Sequence, residues 1–506
     1  MAPARLCVCS TMFLLAALPA LGQQPVAPHT PAAAHATSAQ STPLHKPAGM
    51  QVTTKSVKAR ASFDQGIAKM ETLHWEAALQ QWREAAKADP HFALAHILLA
   101  MLSRDPLEQV AEREKAVAAK RFARREERLI IDWVANASQS RWVPAIQAMN
   151  EALHEFPRDK HLAWLAGLWL TNQRQSDRAI LLFERANQLD PKFADPLNQA
   201  AYCYARLRNF DKAFINMQRY AELLPNEANP QDSLAELSRM AGRFEAALSH
   251  YHASLKIDPT FVESQAGLGD TYALMGDEAR ARMEYAIAIQ KATTRVQSIT
   301  FALQSAATYV REQDYGKADS AFTDAAKQAH SKDLGTLEAE AYRMMSAYQK
   351  NNGKAMKLLK QAEAILHEEH KMSAASREQE LAVILRTRVG RAVHDGSMPE
   401  ALAALDQLEK LAASNNSGPV QFALNGAAGA VLLAQGKYDD AISHLEDDDK
   451  NPYSMQRLIV AYQKTGAKDN AARMTEKLSQ FYEPTIEQAV VVPGFRKTLM
   501  AQKDQN

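Results

Sequence analysis

Small, large-apolar and turn-forming residues recur along this chain with a 34-residue period. Five consecutive blocks, beginning at 126, 160, 194, 228 and 262, keep strict phase. Counted from the first residue of each block, position 20 is Ala145, Ala179, Ala213, Ala247 and Ala281. Position 24 is large: Met149, Phe183, Met217, Tyr251 and Tyr285. Position 27 is Ala152, Ala186, Tyr220, Ser254 and Ala288, and position 8 is Trp133, Gly167, Ala201, Ala235 and Gly269. Position 32 is Pro157, Pro191, Pro225 and Pro259, then Thr293. Between these points lie mostly Ala, Leu, Glu, Gln, Lys and Arg, all good helix formers. Proline cannot continue a helix, so Asp190-Pro191 and Asp258-Pro259 end theirs. Asn229-Pro230-Gln231-Asp232 starts one, with an N-cap acceptor, a proline at the first helical position and an acid in the first turn. Asn451-Pro452 repeats the device, and no run of alternating β-branched residues competes with the helical reading.

The frame extends outward. A block at 59 carries Gly66, Ala78, Trp82, Ala85 and Pro90. A block near 93 has Ala100, Ala116 and Ala119, but Glu112 at position 20. Blocks near 299, 336, 382, 422 and 452 keep Ala318, Ala355, Ala401, Ala441 and Ala471 there. This pattern resembles the tetratricopeptide repeat over residues 53 to 480. The resemblance implies an all-α chain, a right-handed superhelical solenoid of antiparallel helix pairs with about 11–12 repeats. Small residues at 8, 20 and 27 then let helix backbones approach, and the large residue at 24 fills the space between pairs. Residues 53–295 read as an N-terminal array and 296–483 as a less regular C-terminal one, because extra residues precede 299, 336, 382 and 422. Such insertions are expected in loops. His370–Ala375 and Ser414–Pro419 are the candidate breaks, and Asp447, Asp448 and Asp449 shorten one second helix. Residues 484–506 read as a capping helix and tail.

The N-terminus differs in composition. Arg5 precedes an apolar run from Leu6 to Leu18, and Ala20-Leu21-Gly22 offers small residues for cleavage before Gln23. Residues 1–22 therefore read as a secretory signal, with an uncleaved anchor as the alternative. Residues 23–52, carrying Pro25, Pro28, Pro31, Pro43 and Pro47 among Ala, Thr, Ser and His, read as a disordered linker. The expected location is exported, periplasmic or secreted. Cleavage leaves Cys203 as the one thiol, so no internal disulfide is available and packing must stabilise the fold. No later segment is apolar for long enough to span a membrane.

Formal net charge is +1 with the two signs interspersed, which argues against nucleic acid as a partner. The most basic stretch, Lys115 to Arg128, is interleaved with Glu112, Glu114, Glu126 and Glu127 and reads as a solvated helix face. There is no phosphate-binding glycine loop and no nucleophile elbow. His367-Glu368-Glu369-His370 sets two histidines one helical turn apart but lacks a third ligand, so neither metal nor cofactor is expected. Trp75, Trp82, Trp133, Trp142, Trp164 and Trp169 all fall in the first half, and Trp82, at position 24, reads as core.

In tetratricopeptide arrays the first helix of each pair lines a concave groove. Carried onto this chain, the resemblance implies a groove of Trp164, Leu168 and Asn172, then Asn198, Gln199, Tyr202 and Arg206, then Asp232, Glu236 and Arg239, and finally Asp270. It lacks the Lys/Asn/Arg set with which family members clamp a peptide's terminal carboxylate. The expected function is a non-enzymatic scaffold binding a protein or peptide segment in this groove. The alternatives are an enzyme or a metal- or ligand-binding protein on the same frame, and a structural component of envelope assembly.

Overall fold

The computed structural model describes residues 50, 52–368 and 371–503. The signal segment, nearly all of the linker, and His370 lie outside the described residues. Among the described residues the chain is all α, with twenty-five α-helices and no strand. Twenty-four of the helices form twelve consecutive antiparallel pairs, from Val57–Glu71 with Trp75–Ala88 to Pro452–Thr465 with Lys468–Ser479. Each pair also packs on the next, giving a continuous tetratricopeptide-like array. No helix is long and apolar enough to cross a membrane among the described residues.

The periodic residues hold the pairs together as their types require. Ten of the eleven position-20 alanines, Ala78 to Ala441, are fully buried, and Ala471 nearly so. The exception, Glu112, is explained by a local ion pair: its carboxylate lies 2.5 Å from His96 Nδ1 and 2.6 Å from Lys115 Nζ. A polar pair thus replaces an apolar contact in the second repeat. Position 8 sits under position 24. A Cβ on Gly167 would lie 2.5 Å from the Phe183 ring, and one on Gly269 2.8 Å from Tyr285. In the first pair and in the third to seventh the turn places a left-handed residue at position 15. Leu73, Ser140, Arg174, Arg208, Gly242 and Gly276 all adopt it, with φ between 57° and 86°. Four of these six are not glycine, so tertiary packing overrides the local preference there.

Two expectations about the C-terminal half need correction. The extra residues do not go into loops; they lengthen helices. Arg295–Arg311, Tyr315–Ser331, Asn352–Glu368 and Gly418–Ala434 each have 17 residues, and Ala374–His394 has 21. These segments are rich in helix formers, and extending an existing helix costs far less than nucleating a new element. The short helix does occur, at Tyr438–Glu446. The terminal helix Ile486–Lys503 forms, but it packs on the first helices of the eighth, ninth and twelfth pairs, so it lies along the inner face besides meeting the last pair.

The array winds back on itself. Gly418 N–H donates to Gln173 Oε1 at 3.0 Å, and a Cβ there would meet the Gln173 carbonyl at 2.0 Å. Arg208 Nη2 reaches Gln480 Oε1 at 2.8 Å, Arg239 Nη1 reaches the Tyr482 carbonyl at 3.1 Å, and Arg295 binds Asp105 at 2.6 Å. The Ser414–Pro419 stretch, expected to separate two sub-arrays, is thus a point of contact between the last third of the chain and the first. The described residues form one compact unit. Cys203 is buried, within 3.4 Å of Thr171 Oγ1.

Candidate functional site

The first helices of the fifth, sixth and seventh pairs are Asp195–Arg206, Ala228–Met240 and Val262–Met275. Each turns residues three or four apart onto one inward stripe. Seven of the residues expected in the groove meet there: Asn198, Gln199, Tyr202, Asp232, Glu236, Arg239 and Asp270 line a single cavity of about 660 Å³. Its volume falls in the range of small-ligand or peptide-side-chain sites, ~300–1,000 Å³.

The opposite wall comes from far away in sequence. Leu73, His74, Trp75, Glu76 and Ala77, at the turn of the first pair, and Arg104, from the second, complete the cavity. The 34-residue period reveals which residues face inward along the array. It carries no signal for which pairs meet across the coil, so these residues were missed.

The cavity is acidic. Six carboxyl groups line it, from Glu76, Asp232, Glu236, Asp258, Glu263 and Asp270, against Arg104, Arg239 and His74. Two carboxyls are deeply buried. Burial pushes Asp232 up to about 8, and neighbouring Glu236 and Glu263 add to this; the Ser264 hydroxyl, donating at 2.7 Å, only partly offsets it. Burial also raises Asp270, against the opposing pull of Arg239 and of the Tyr285 hydroxyl donating at 2.6 Å. Both groups therefore lack a full counter-charge. Arg239 is divided among its neighbours: one guanidinium nitrogen binds the Tyr482 carbonyl, another lies 3.2 Å from Glu236 Oε1, and Nε has no partner. Glu236 accepts from Tyr202 at 2.9 Å. Asn198 is buried with Oδ1 unpaired.

The remaining expected residues lie elsewhere. Trp164 does not line the groove; it is 1 % exposed. Its ring stacks on Trp75 with centroids 5.9 Å apart and an interplanar angle of 15°, and its N–H donates to the Asp195 carboxylate. The coil winds tightly enough for the first pair to cover the fourth, and the inward-facing tryptophan becomes core. The same contact is reinforced by Glu71, which binds Lys160 at 2.6 Å and His161 at 2.7 Å. Leu168 is half-buried against the core cluster, Asn172 is exposed, and Arg206 lines a separate small cavity with Lys450 and Gln480. His367 is exposed and lies 3.9 Å from Glu363, and no three-residue metal cluster occurs among the described residues.

No family model matches the chain. Among curated proteins it is similar to mouse (Mus musculus) Superkiller complex protein 3, 25% identical over 118 residues, 23% of this chain and 8% of that one. It is also similar to the Saccharomyces cerevisiae anaphase-promoting complex subunit CDC16, 33% identical over 86 residues, 17% of this chain and 10% of that one. The chain thus spans a tenth or less of the length of these relatives. Among solved structures, the APC/C hetero-tetramer Cut9-Hcn1 aligns over 83% of this chain and 76% of that one, with TM-score 0.41 and 12% identity. A tetratricopeptide repeat protein from Parabacteroides merdae aligns over 60% and 98%, with TM-score 0.32 and 13% identity.

Proposed function

We propose that this chain is a non-enzymatic interaction scaffold whose acidic cavity receives cationic side chains of a protein or peptide partner. The observation that carries the reading is the excess of carboxyl groups around one cavity, two of them buried without a full counter-charge. Asp232, pushed up to about 8, keeps its proton near neutrality. A lysine ammonium or arginine guanidinium entering the cavity supplies the missing charge, and the proton leaves. Trp75, Tyr202 and Phe261 on the wall offer apolar and aromatic surface to the aliphatic stem of such a side chain. Arginine and aromatic contacts of this kind commonly dominate protein interfaces.

The test is titration of the mature protein with Lys/Arg-containing peptides and with Glu-containing peptides of the same length, in buffers of different ionisation heat. The cationic peptides bind, and binding releases protons at pH 7. Glu76→Lys, on the exposed rim of the cavity, weakens it without lowering the melting temperature, and adding Glu263→Lys, which also gives up the contact with Gln297, abolishes it. Equal binding of both peptide sets, or no change in the double variant, refutes the assignment.

Export belongs to the same proposal. The N-terminal segment directs the chain out of the cytosol, and the proline-rich stretch spaces the array from its point of release. Mass analysis of the protein from its native cell, with the chain beginning at Gln23, supports this; an intact N-terminus in the cytosolic fraction refutes it.

A further inference from the structure

A second cavity, of about 630 Å³, has the opposite character. It lies between the helices Ala374–His394, Pro452–Thr465 and Ile486–Lys503. Arg386, Arg391, Arg457 and His394 line it, against one carboxylate, Glu487. That carboxylate is shared, 3.9 Å from Arg343 Nη1. Arg386 is neutralised by Asp448, to which it is ion-paired, and also bonds Ser454. Arg391 is held by neutral oxygens alone, donating to the Gln349 carbonyl at 2.8 Å and Asn352 Oδ1 at 3.3 Å.

Arg457 is the outlier. It has no hydrogen bond or ion pair among the described residues, only the ring of Tyr453 at 5.9 Å. Burial first, and then the Arg386 charge, pull it down to about 10. The half-buried Arg457 guanidinium thus faces the cavity with no protein acceptor on its donors. Gly390 makes room for it: a Cβ there would come within 3.2 Å of Arg457 Nη2. Val393, Val490 and Phe495 give the wall an apolar stretch beside the arginines, among polar residues such as Asn451 and Gln456.

We propose that this cavity binds a small amphiphilic anion, its carboxylate or phosphate head on Arg457 and Arg391 and its apolar body against Val393, Val490 and Phe495. The planar guanidinium fork matches either head group in two-point fashion, which a lysine does not. An apolar wall beside unpaired donors selects ligands carrying both features. This site shares no residue with the acidic cavity and stands independently of the partner proposed for it.

The experiment uses the full mature chain and calorimetric titration with decanoate, decyl phosphate, inorganic phosphate, decanol and decyltrimethylammonium. Decanoate or decyl phosphate binds one per chain and raises the melting temperature. Decanol and inorganic phosphate bind at least tenfold more weakly, and the cationic amphiphile not at all. Arg457→Met weakens binding at least tenfold. Gly494→Leu provides a variant that keeps the fold, because nothing lies within 4 Å of a Cβ at Gly494, on the cavity wall; its added side chain takes up part of the site and weakens binding at an unchanged melting temperature. Equal binding of anionic, neutral and cationic probes overturns the proposal, as does undiminished binding by both variants. So does capture of phosphatidylglycerol vesicles with no binding of the free anionic amphiphiles, which would assign the arginines to a membrane surface.

Discussion

Replacing Gly167 by alanine tests the packing rule behind every repeat. Gly167 lies in mid-helix, where alanine is intrinsically better by about 1 kcal/mol. The new Cβ, however, would sit 2.5, 2.8 and 2.9 Å from three carbons of the Phe183 ring, which is fully buried and cannot swing away. Relief requires Lys160–Asn172 and Ser176–Leu189 to part by several tenths of an ångström, and overpacking of this kind costs about 1–3 kcal/mol. The expected net loss is the difference, up to about 2 kcal/mol. Native-state hydrogen exchange is the right assay, because a long array is not a two-state system and local opening is what changes. Amides of these two helices lose about tenfold in protection for each 1.4 kcal/mol. Gly316→Ala is the matched control: the nearest atom to its Cβ is 3.8 Å away, so it stabilises by about 0.5 kcal/mol. Protection in the Gly167 variant equal to or above that of the parent chain would show that the position-8/position-24 contact does not govern pair spacing.

Three further outcomes follow from the geometry. Trp164→Ala, which removes a buried ring stacked on Trp75 and the donor to Asp195, destabilises the array by about 3–5 kcal/mol, whereas Asn172→Ala, on an exposed site, stays within about 0.5 kcal/mol; differential melting separates them. Gln313→Gly, at an exposed turn with φ of 64°, removes left-handed strain and stabilises by up to about 1 kcal/mol in thermal melting. Asp232 titrates near 8 folded against an ordinary 3.8 unfolded, so the folded chain keeps a proton that the unfolded chain releases; its contribution to stability is full below pH 4 and falls as pH rises towards 8, by about 1.4 kcal/mol per unit. Asp232→Asn removes that slope, and denaturation midpoints at pH 5 and pH 8 that drift as steeply as the parent's would contradict it.

Most of the fold is legible in the sequence because a repeat writes its packing rule many times. Ala145 to Ala281 at one register, Gly167 opposite Phe183, and proline at the block ends each state a local requirement that does not depend on distant parts of the chain. The longer helices after residue 295 were harder to foresee, since an insertion in a helix-forming stretch reads equally well as loop or helix. The candidate site was half legible. Asn198 to Asp270 follow from the register of first helices. Trp75 and Arg104 depend on the pitch of the coil, a sum of small rotations between pairs that no single residue encodes. The same pitch buries Trp164. Arg457 was missed for a related reason: an arginine on a first helix looks solvated until the terminal helix is placed beside it.

The contact of Gly418 with Gln173 bears on how the molecule comes apart. In an open solenoid each unit touches only its neighbours, so an end can fray or be deleted while the middle survives. Here residues 245 positions apart share a hydrogen bond, and the first pair covers the fourth. Losing the last pairs uncovers the inner surface of the early ones, and losing the first exposes Trp164. Modular deletion, the usual way to map a binding surface on such arrays, would therefore report the loss of a shared interior before it reported the loss of any binding residue. Folding should be slow for a helical chain, because the ring of contacts closes only after its far-separated ends have found one another.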